Sequence, residues 1–229
     1  METFERVEQK YILTRAQQAA LLERCQGHLE PAEYFHSNVL SIYYDTPDDL
    51  LIRNSVEKPM YKEKLRLRAY HVPKQGDKIF IELKKKYDGV VYKRRTQLVY
   101  DELLEKGIQG SSYDNEQIGK EIRWFDSFYK DLEPKILIST HRTSFIDHED
   151  DDLRITFDDE VTYRYDDLDL RDGIDGEDLL RNGEVIMEIK INRAMPLWLS
   201  KVINELSIYP HSYSKYGTAY MNTLERSMS

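Results

Sequence analysis

The sequence predicts an α+β protein built on a mainly antiparallel sheet, and three observations carry that prediction. Strand-like runs outnumber helical patterns, the helices are spaced among the strands, and neither a Gly/Ser-rich or Pro-rich linker nor an internal repeat divides the 229 residues. The chain is therefore read as one domain, residues 1–229, long enough to bury a core.

The elements follow in order. Thr14 caps a helix over 14–29, with Ala19, Leu22, Cys25 and Leu29 as its apolar stripe. Residues 39–44 read as a strand, as do 61–70, 78–86 and 90–100. A second helix covers 115–132, because Ile118, Ile122, Phe125, Tyr129 and Leu132 recur at three- and four-residue spacing. Strands are expected at 135–146, 153–165 and 184–191. A third helix starts near Pro196, a residue tolerated in a first turn, and carries Leu197, Val202, Ile203 and Leu206. The acidic stretches 148–152 and 166–178 lack the alternating ligands and glycine of an EF-hand loop and read as solvated turns, with 169–176 flexible.

Composition narrows the function classes. With 40% hydrophobic and 33% charged residues the chain is not a disordered one. No run approaches the roughly 18 apolar residues that a membrane span needs, and the first residues are charged where a signal peptide is apolar, so a soluble, cytoplasmic protein is expected. Cys25 is the only cysteine, which excludes an intramolecular disulfide and a cysteine zinc cluster; beside Leu21 and Leu22 it reads as a core residue. The net charge of −9 is unevenly spread: residues 58–95 hold 13 basic and four acidic residues, a local +9, which leaves −18 on the rest. Cations concentrated in one segment of an acidic chain suit a compact anion in a site, and no nucleic-acid partner is expected.

Alternation along the strands places that charge. Lys62, Lys64, Arg66 and Arg68 share one face, opposite Leu65 and Leu67; Phe80, Glu82, Lys84 and Lys86 oppose Ile79, Ile81 and Leu83. Glu184, Ile186, Glu188 and Lys190 share a face, Arg142 goes with Thr140 and Ser144, and Arg154 goes with Thr156 and Asp158. Any one of these strands is an ordinary amphipathic strand with a solvated face. Like charges on neighbouring strands repel, however, so their repetition calls for a multivalent anion. In a sheet curled into a barrel, apolar face outward, the cations would converge in a lumen fitted to phosphate chains, with a divalent metal bridging phosphate to a carboxylate.

The runs Tyr43-Tyr44-Asp45-Thr46-Pro47, Tyr61-Lys62-Glu63-Lys64-Leu65-Arg66-Leu67-Arg68, Glu82-Leu83-Lys84-Lys85-Lys86-Tyr87 and Gly89-Val90-Val91-Tyr92-Lys93-Arg94-Arg95 resemble the VTC domain, the polyphosphate polymerase domain of the vacuolar transporter chaperone complex. That family lies among the triphosphate tunnel metalloenzymes, related to the CYTH group. The resemblance continues through His141-Arg142-Thr143-Ser144-Phe145, Arg154-Ile155-Thr156-Phe157-Asp158, Glu188-Ile189-Lys190 and Ser214-Lys215-Tyr216, nearly the whole chain. It implies an eight-stranded antiparallel barrel with peripheral helices, forming a tunnel lined by cations and a metal-binding glutamate.

Carried over residue by residue, the resemblance makes Lys10, Arg66, Arg68, Lys84, Arg142, Arg154 and Lys215 phosphate contacts and Glu188 the ligand of Mn or Mg. Arg94 joins them, with Lys93 on the opposite face, and Ser214 adds a hydroxyl. Arg66, Arg68, Lys84 and Glu188 form the catalytic set. Glu8 and Glu82 are further metal candidates, Glu82 alternatively balancing charge among the cations. Many CYTH-type chains open with two glutamates and a lysine at alternating positions, where this sequence has Arg6, Glu8 and Lys10.

The implied reaction transfers the γ-phosphate of ATP to a growing polyphosphate chain with release of ADP, with ATP or another triphosphate and inorganic polyphosphate as partners. A membrane-protein partner is not readable from the sequence. An inorganic or organic triphosphatase would use the same residues with water as the attacking group. A nucleotidyl cyclase of the same superfamily ranks below it, and a non-catalytic polyphosphate-binding module is the alternative from another class.

Overall fold

The computed structural model of the protein describes residues 7–57, 59–88, 90–149, 152–192 and 194–227. Arg6, Lys58, Gly89, Asp150 and Asp151, which figure in the sequence reading, lie outside them. In chain order the elements are β1 (Val7–Thr14), α1 (Arg15–Arg24), β2 (Leu29–Asp45), α2 (Leu50–Glu57), β3 (Tyr61–Ala69), β4 (Lys78–Tyr87), β5 (Val90–Val99), α3 (Tyr100–Gly110), α4 (Glu116–Tyr129), β6 (Glu133–Asp147), β7 (Arg154–Arg164), β8 (Glu177–Asp178), β9 (Glu184–Ile191), α5 (Leu197–Glu205) and α6 (Lys215–Ser227). The strands pair in the order β1-β9-β7-β6-β2-β3-β4-β5, with β8 on β7, and β1–β9, β7–β9, β2–β3, β3–β4 and β4–β5 are antiparallel.

The class is as expected, a mixed chain on a large antiparallel sheet, but the eight-stranded closure is not: this order is open, and β1 and β5 stand at its ends. Each end meets chain that is not a strand. The carbonyl of Lys10 on β1 accepts from the His211 amide at 2.7 Å, and Tyr11 bridges Pro210. On β5 the Gln97 carbonyl accepts from the Asp114 amide at 3.0 Å and the Thr96 hydroxyl from the Asn115 amide at 2.9 Å. These contacts satisfy edge groups that would otherwise remain open.

The backbone groups into two compact units. One comprises 1–37, 140–161 and 178–214, and the other 38–139, 162–177 and 215–229. In the first unit Tyr11 and Leu13 of β1, Ile155 and Phe157 of β7 and Val185, Met187 and Ile189 of β9 pack on Leu21 and Cys25 of α1 and Leu199 and Ile203 of α5. Thr14 caps α1 in a capping box, its hydroxyl accepting from the Gln17 amide while the Gln17 side chain accepts from the Thr14 amide at 3.0 Å. The helix stops at Arg24, short of the expected 29, because Gly27 adopts φ +89° and turns the chain into β2. Leu21 and Cys25, four apart, are buried and Ala19 is exposed, which corrects the expected stripe. Burial pushes the Cys25 thiol up to about 11, so it serves as core.

In the second unit Leu65, Leu67, Ile79, Ile81, Leu83 and Leu98 form the buried sheet face under Leu103, Ile108, Ile122 and Phe125 of α3 and α4. Helix α4 follows the expected stripe, and the Asn115 side chain caps it by accepting from the Ile118 amide at 3.0 Å. Asp45 explains the start of α2: its buried carboxylate accepts from the amides of Thr46, Leu51 and Ile52, each at 2.8 Å, and from the Tyr216 hydroxyl of α6 at 3.1 Å. The 169–176 segment, expected to be flexible, is tied down. Arg164 donates to the carbonyls of Asp167, Asp169, Gly173 and Asp175, and the amide of the fully buried Leu170 donates to the Tyr100 hydroxyl at 3.0 Å.

Candidate active site

Antiparallel register lines up side chains across strands, and in the second unit it builds one row from four strands: Tyr43 opposite Arg66, Arg66 opposite Glu82, Glu82 opposite Arg95. The Glu82 side chain is only 1% exposed, yet it faces cations on every side. Arg66 Nη2 lies 2.6 Å away, Lys93 Nζ 2.8 Å, Arg95 Nε 3.3 Å and Arg68 Nη1 3.9 Å. Burial alone would raise the Glu82 carboxyl, but Arg66, Arg68 and Lys93 outweigh it and hold the group far below the usual carboxylate range. Glu82 is thus the counter-ion of the cluster. Of the two roles expected for Glu82, this geometry favours charge balance among the cations.

The same contacts orient Arg66. Its Nε and Nη2 both reach Glu82 Oε2, at 2.7 and 2.6 Å, and its Nη1 donates to the Tyr43 hydroxyl at 2.9 Å. A guanidinium has five N–H donors, so two remain for an incoming acceptor. Beside this row Lys64, Lys84 and Lys93 stand opposite one another on β3, β4 and β5. Lys62 and Lys86 are paired in the same way.

Register also separates Lys93 from Arg94. Arg94 pairs with Leu83 and sits on the helix-covered face, where its Nε donates to Glu121 of α4 at 3.1 Å. Lys93 and Arg95 take the place expected for Arg94. Leu98 carried the signal: it is a core residue of the same strand parity as Arg94, so residues 93, 95 and 97 had to face the other way.

The first unit carries a second cluster. Lys10 lies opposite Glu188, which lies opposite Thr156, and Glu8 lies opposite Lys190, which lies opposite Arg154. Glu188 is buried, with Lys190 Nζ at 2.5 Å and Lys10 Nζ at 3.8 Å; Lys10 also reaches Glu8 at 3.3 Å. Burial works to raise the Glu188 carboxyl, but Lys190, Lys10 and Arg142 hold it at about 2. Arg142 is gripped bidentately by the buried Asp158, Nε to Oδ1 at 2.5 Å and Nη2 to Oδ2 at 2.7 Å, whereas Glu82 holds Arg66 through one oxygen. Arg154 stands at the exposed end of β7. Ser214 immediately precedes α6 and Lys215 is its first residue.

Among the described residues no group of three His, Cys, Asp or Glu side chains is placed to hold a metal. The donor chemistry of the first unit nevertheless fits a divalent ion that brings phosphate and water ligands, since Mg-type ions take one or two carboxylates from protein and the remainder from substrate and solvent. Glu8 and Glu188 already share one cation, the Lys10 ammonium. Next to Glu188 in register, the buried Thr156 hydroxyl has no hydrogen-bond partner. A buried hydroxyl without a partner beside an ionised carboxylate is a group that a hydrated ion or phosphate oxygen would satisfy.

A family model of the VTC domain matches residues 5–224. The chain belongs to the VTC domain family. With that family goes its membership of the triphosphate-tunnel group. Among solved structures, a candidate adenylate cyclase from Vibrio parahaemolyticus is similar in fold, with a TM-score of 0.51 at 11% identity over 96% of this chain and 99% of that one. The PH1819 protein of Pyrococcus horikoshii OT3 gives 0.48 at 13% identity, over 96% and 99% of the two chains. No curated protein matches the chain. No helix among the described residues is long and apolar enough to cross a membrane.

Tyr43, Lys64, Lys93, Arg95, Thr156 and Lys190 join these clusters without having been singled out from the sequence as site residues. Register, which alternation within one strand does not give, is what assembles them.

Proposed function

We propose that the chain is a metal-dependent polyphosphate polymerase that moves the γ-phosphate of ATP onto a growing polyphosphate chain and releases ADP. The observation that carries this reading is the pinning of arginines by buried carboxylates, Glu82 on Arg66 and Asp158 on Arg142, which fixes the guanidinium planes within rows of cations. Such preorganised cations suit phosphate oxygens, and phosphoryl transfer asks chiefly for positioning and charge stabilisation.

In this mechanism a terminal oxygen of the polyphosphate chain attacks the γ-phosphorus in line. The bond from that phosphorus to the β,γ-bridging oxygen breaks, its electron pair leaves with ADP, and no covalent enzyme intermediate forms. Arg66, Arg68, Lys84, Lys93 and Arg95 hold and neutralise phosphate oxygens in the second unit. Lys10, Arg142, Arg154, Ser214 and Lys215 are assigned the same task, and Glu188 with Glu8 would hold Mn or Mg. The ion supplies Lewis-acid polarisation of phosphate oxygen when bound. Thr156 is placed to fix a water or phosphate oxygen beside Glu188.

The test is incubation of the purified protein with ATP and Mn or Mg, followed by separation of products by phosphate-chain length. Chains with ADP support the polymerase. Phosphate or pyrophosphate without chains assigns a triphosphatase, and tight triphosphate binding without turnover assigns a binding module.

A further inference from the structure

Arg66 has two kinds of partner. Glu82 binds it through charge and stays ionised, whereas Tyr43 binds it through a phenol oxygen that accepts from Nη1 at 2.9 Å. Tyr43 is 9% exposed, its ring lies 5.7 Å from the Arg66 guanidinium carbon and 5.0 Å from the Tyr216 ring, and it occupies the β2 end of the row that contains Glu82 and Arg95. The charged groups that bear on its hydroxyl come chiefly from β3: Arg66, Arg68 and Lys64. From β4, Glu82 faces Arg66 rather than Tyr43. From α6, Tyr216 turns its hydroxyl to Asp45, and from β6 Lys135 is bound to the Pro47 carbonyl, Asp49 and Glu133.

We propose that Tyr43 is a positioning residue for the phosphate-binding row, a displaceable oxygen ligand that holds Arg66 until a phosphate oxygen takes its place, so that a proton on Tyr43 favours triphosphate binding. This rests on the reading of the row as a phosphate site. An ionised Tyr43 competes with phosphate for the same guanidinium and adds a negative charge that repels the ligand; protonation removes both effects. Although burial opposes ionisation, Arg66, Arg68 and Lys64 bring the phenol down to about 7, so the exchange falls in the neutral range. Triphosphate, by adding negative charge beside Tyr43, restores its proton.

The experiment uses tripolyphosphate as the probe and compares the wild-type chain with Tyr43→Phe. Affinity is measured by calorimetry between about pH 6 and pH 9, alongside the near-ultraviolet absorbance of tyrosinate. Subtracting Tyr43→Phe removes the other tyrosines, and the ligand's own titration is common to both proteins. The expected result is a wild-type affinity that falls up to about tenfold per pH unit above neutrality relative to Tyr43→Phe, and a neutral-range tyrosinate signal in wild type that tripolyphosphate suppresses. Equal pH slopes in both proteins, or no such signal in wild type, would overturn the inference. The suppression is read on the wild-type chain alone, so it decides the matter even if the variant folds poorly. A wild-type chain that fails to bind tripolyphosphate at every pH overturns the phosphate reading itself, and the inference with it.

Discussion

Replacing Glu82 by glutamine removes one negative charge from the centre of four cations without changing the side chain's size. In the native chain that carboxylate lies between 2.6 and 3.9 Å from Arg66, Arg68, Lys93 and Arg95, and it is almost wholly buried. Breaking a buried ion pair by removing one partner costs about 3–5 kcal/mol, because the surviving charges stay desolvated and repel. For a chain of this length that corresponds to a melting temperature lower by about 6–20 °C. The loss should be reversed by an anion. Tripolyphosphate at a hundred times its Kd stabilises by about 2.7 kcal/mol, and Glu82→Gln, with its cations uncompensated, should bind it more tightly than wild type and gain more. Urea denaturation with and without tripolyphosphate measures both effects. A Glu82→Gln chain within about 0.5 kcal/mol of wild type, or equal stabilisation of the two proteins by tripolyphosphate, would refute the counter-ion role. The pH dependence follows from the same geometry. The folded carboxyl titrates below its unfolded value of about 4.3, so its stabilisation is complete above that pH and is lost as the pH falls through the acid range.

Three further outcomes are expected. Glu188→Gln should abolish metal-dependent turnover while tripolyphosphate binding persists; unchanged turnover would remove Glu188 from the site. Thr156→Val should leave stability unchanged or raise it by about 1 kcal/mol, since it deletes a buried hydroxyl without a partner, yet should lower turnover; a stability loss with normal turnover would make Thr156 structural. Arg94→Ala should leave tripolyphosphate affinity within twofold of wild type, roughly the effect of a surface ion pair. Arg95→Ala and Lys93→Ala should each weaken it about tenfold or more, and the reverse order, read by calorimetry, would contradict the β5 register.

The parts of the fold legible in the sequence are those governed by local periodicity. Alternation from Lys62 to Arg68 gave the correct faces of β3, the run 184–191 coincides with β9, and the stripe from Ile118 to Phe125 marks the buried side of α4. Three helices were not legible. α2 starts where Asp45 gathers three backbone amides, a capping by a residue five positions upstream of Leu50 that no periodic pattern announces. α3 is short and broken at Gly107, which adopts φ +68°, and α6 opens with Lys-Tyr-Gly, a weak helical start. The candidate site divides in the same way. Its residue types stood out as charge on the wrong face of an ordinary strand, whereas partners such as Glu82 with Lys93 or Arg142 with Asp158 depend on the register between neighbouring strands, which alternation within one strand does not give. The face of Arg94 was set by its parity with the core residue Leu98 on the same strand, a local signal that was passed over, and Tyr43 was visible as part of a motif but not as a neighbour of Arg66.

Phosphoryl transfer to a phosphate acceptor is read out by following ATP labelled in its γ-phosphate. With Mn or Mg present, label should enter chains longer than the ATP triphosphate, one ADP should appear for each phosphate incorporated, and Glu188→Gln should incorporate none. Label recovered only as free phosphate or pyrophosphate would contradict it.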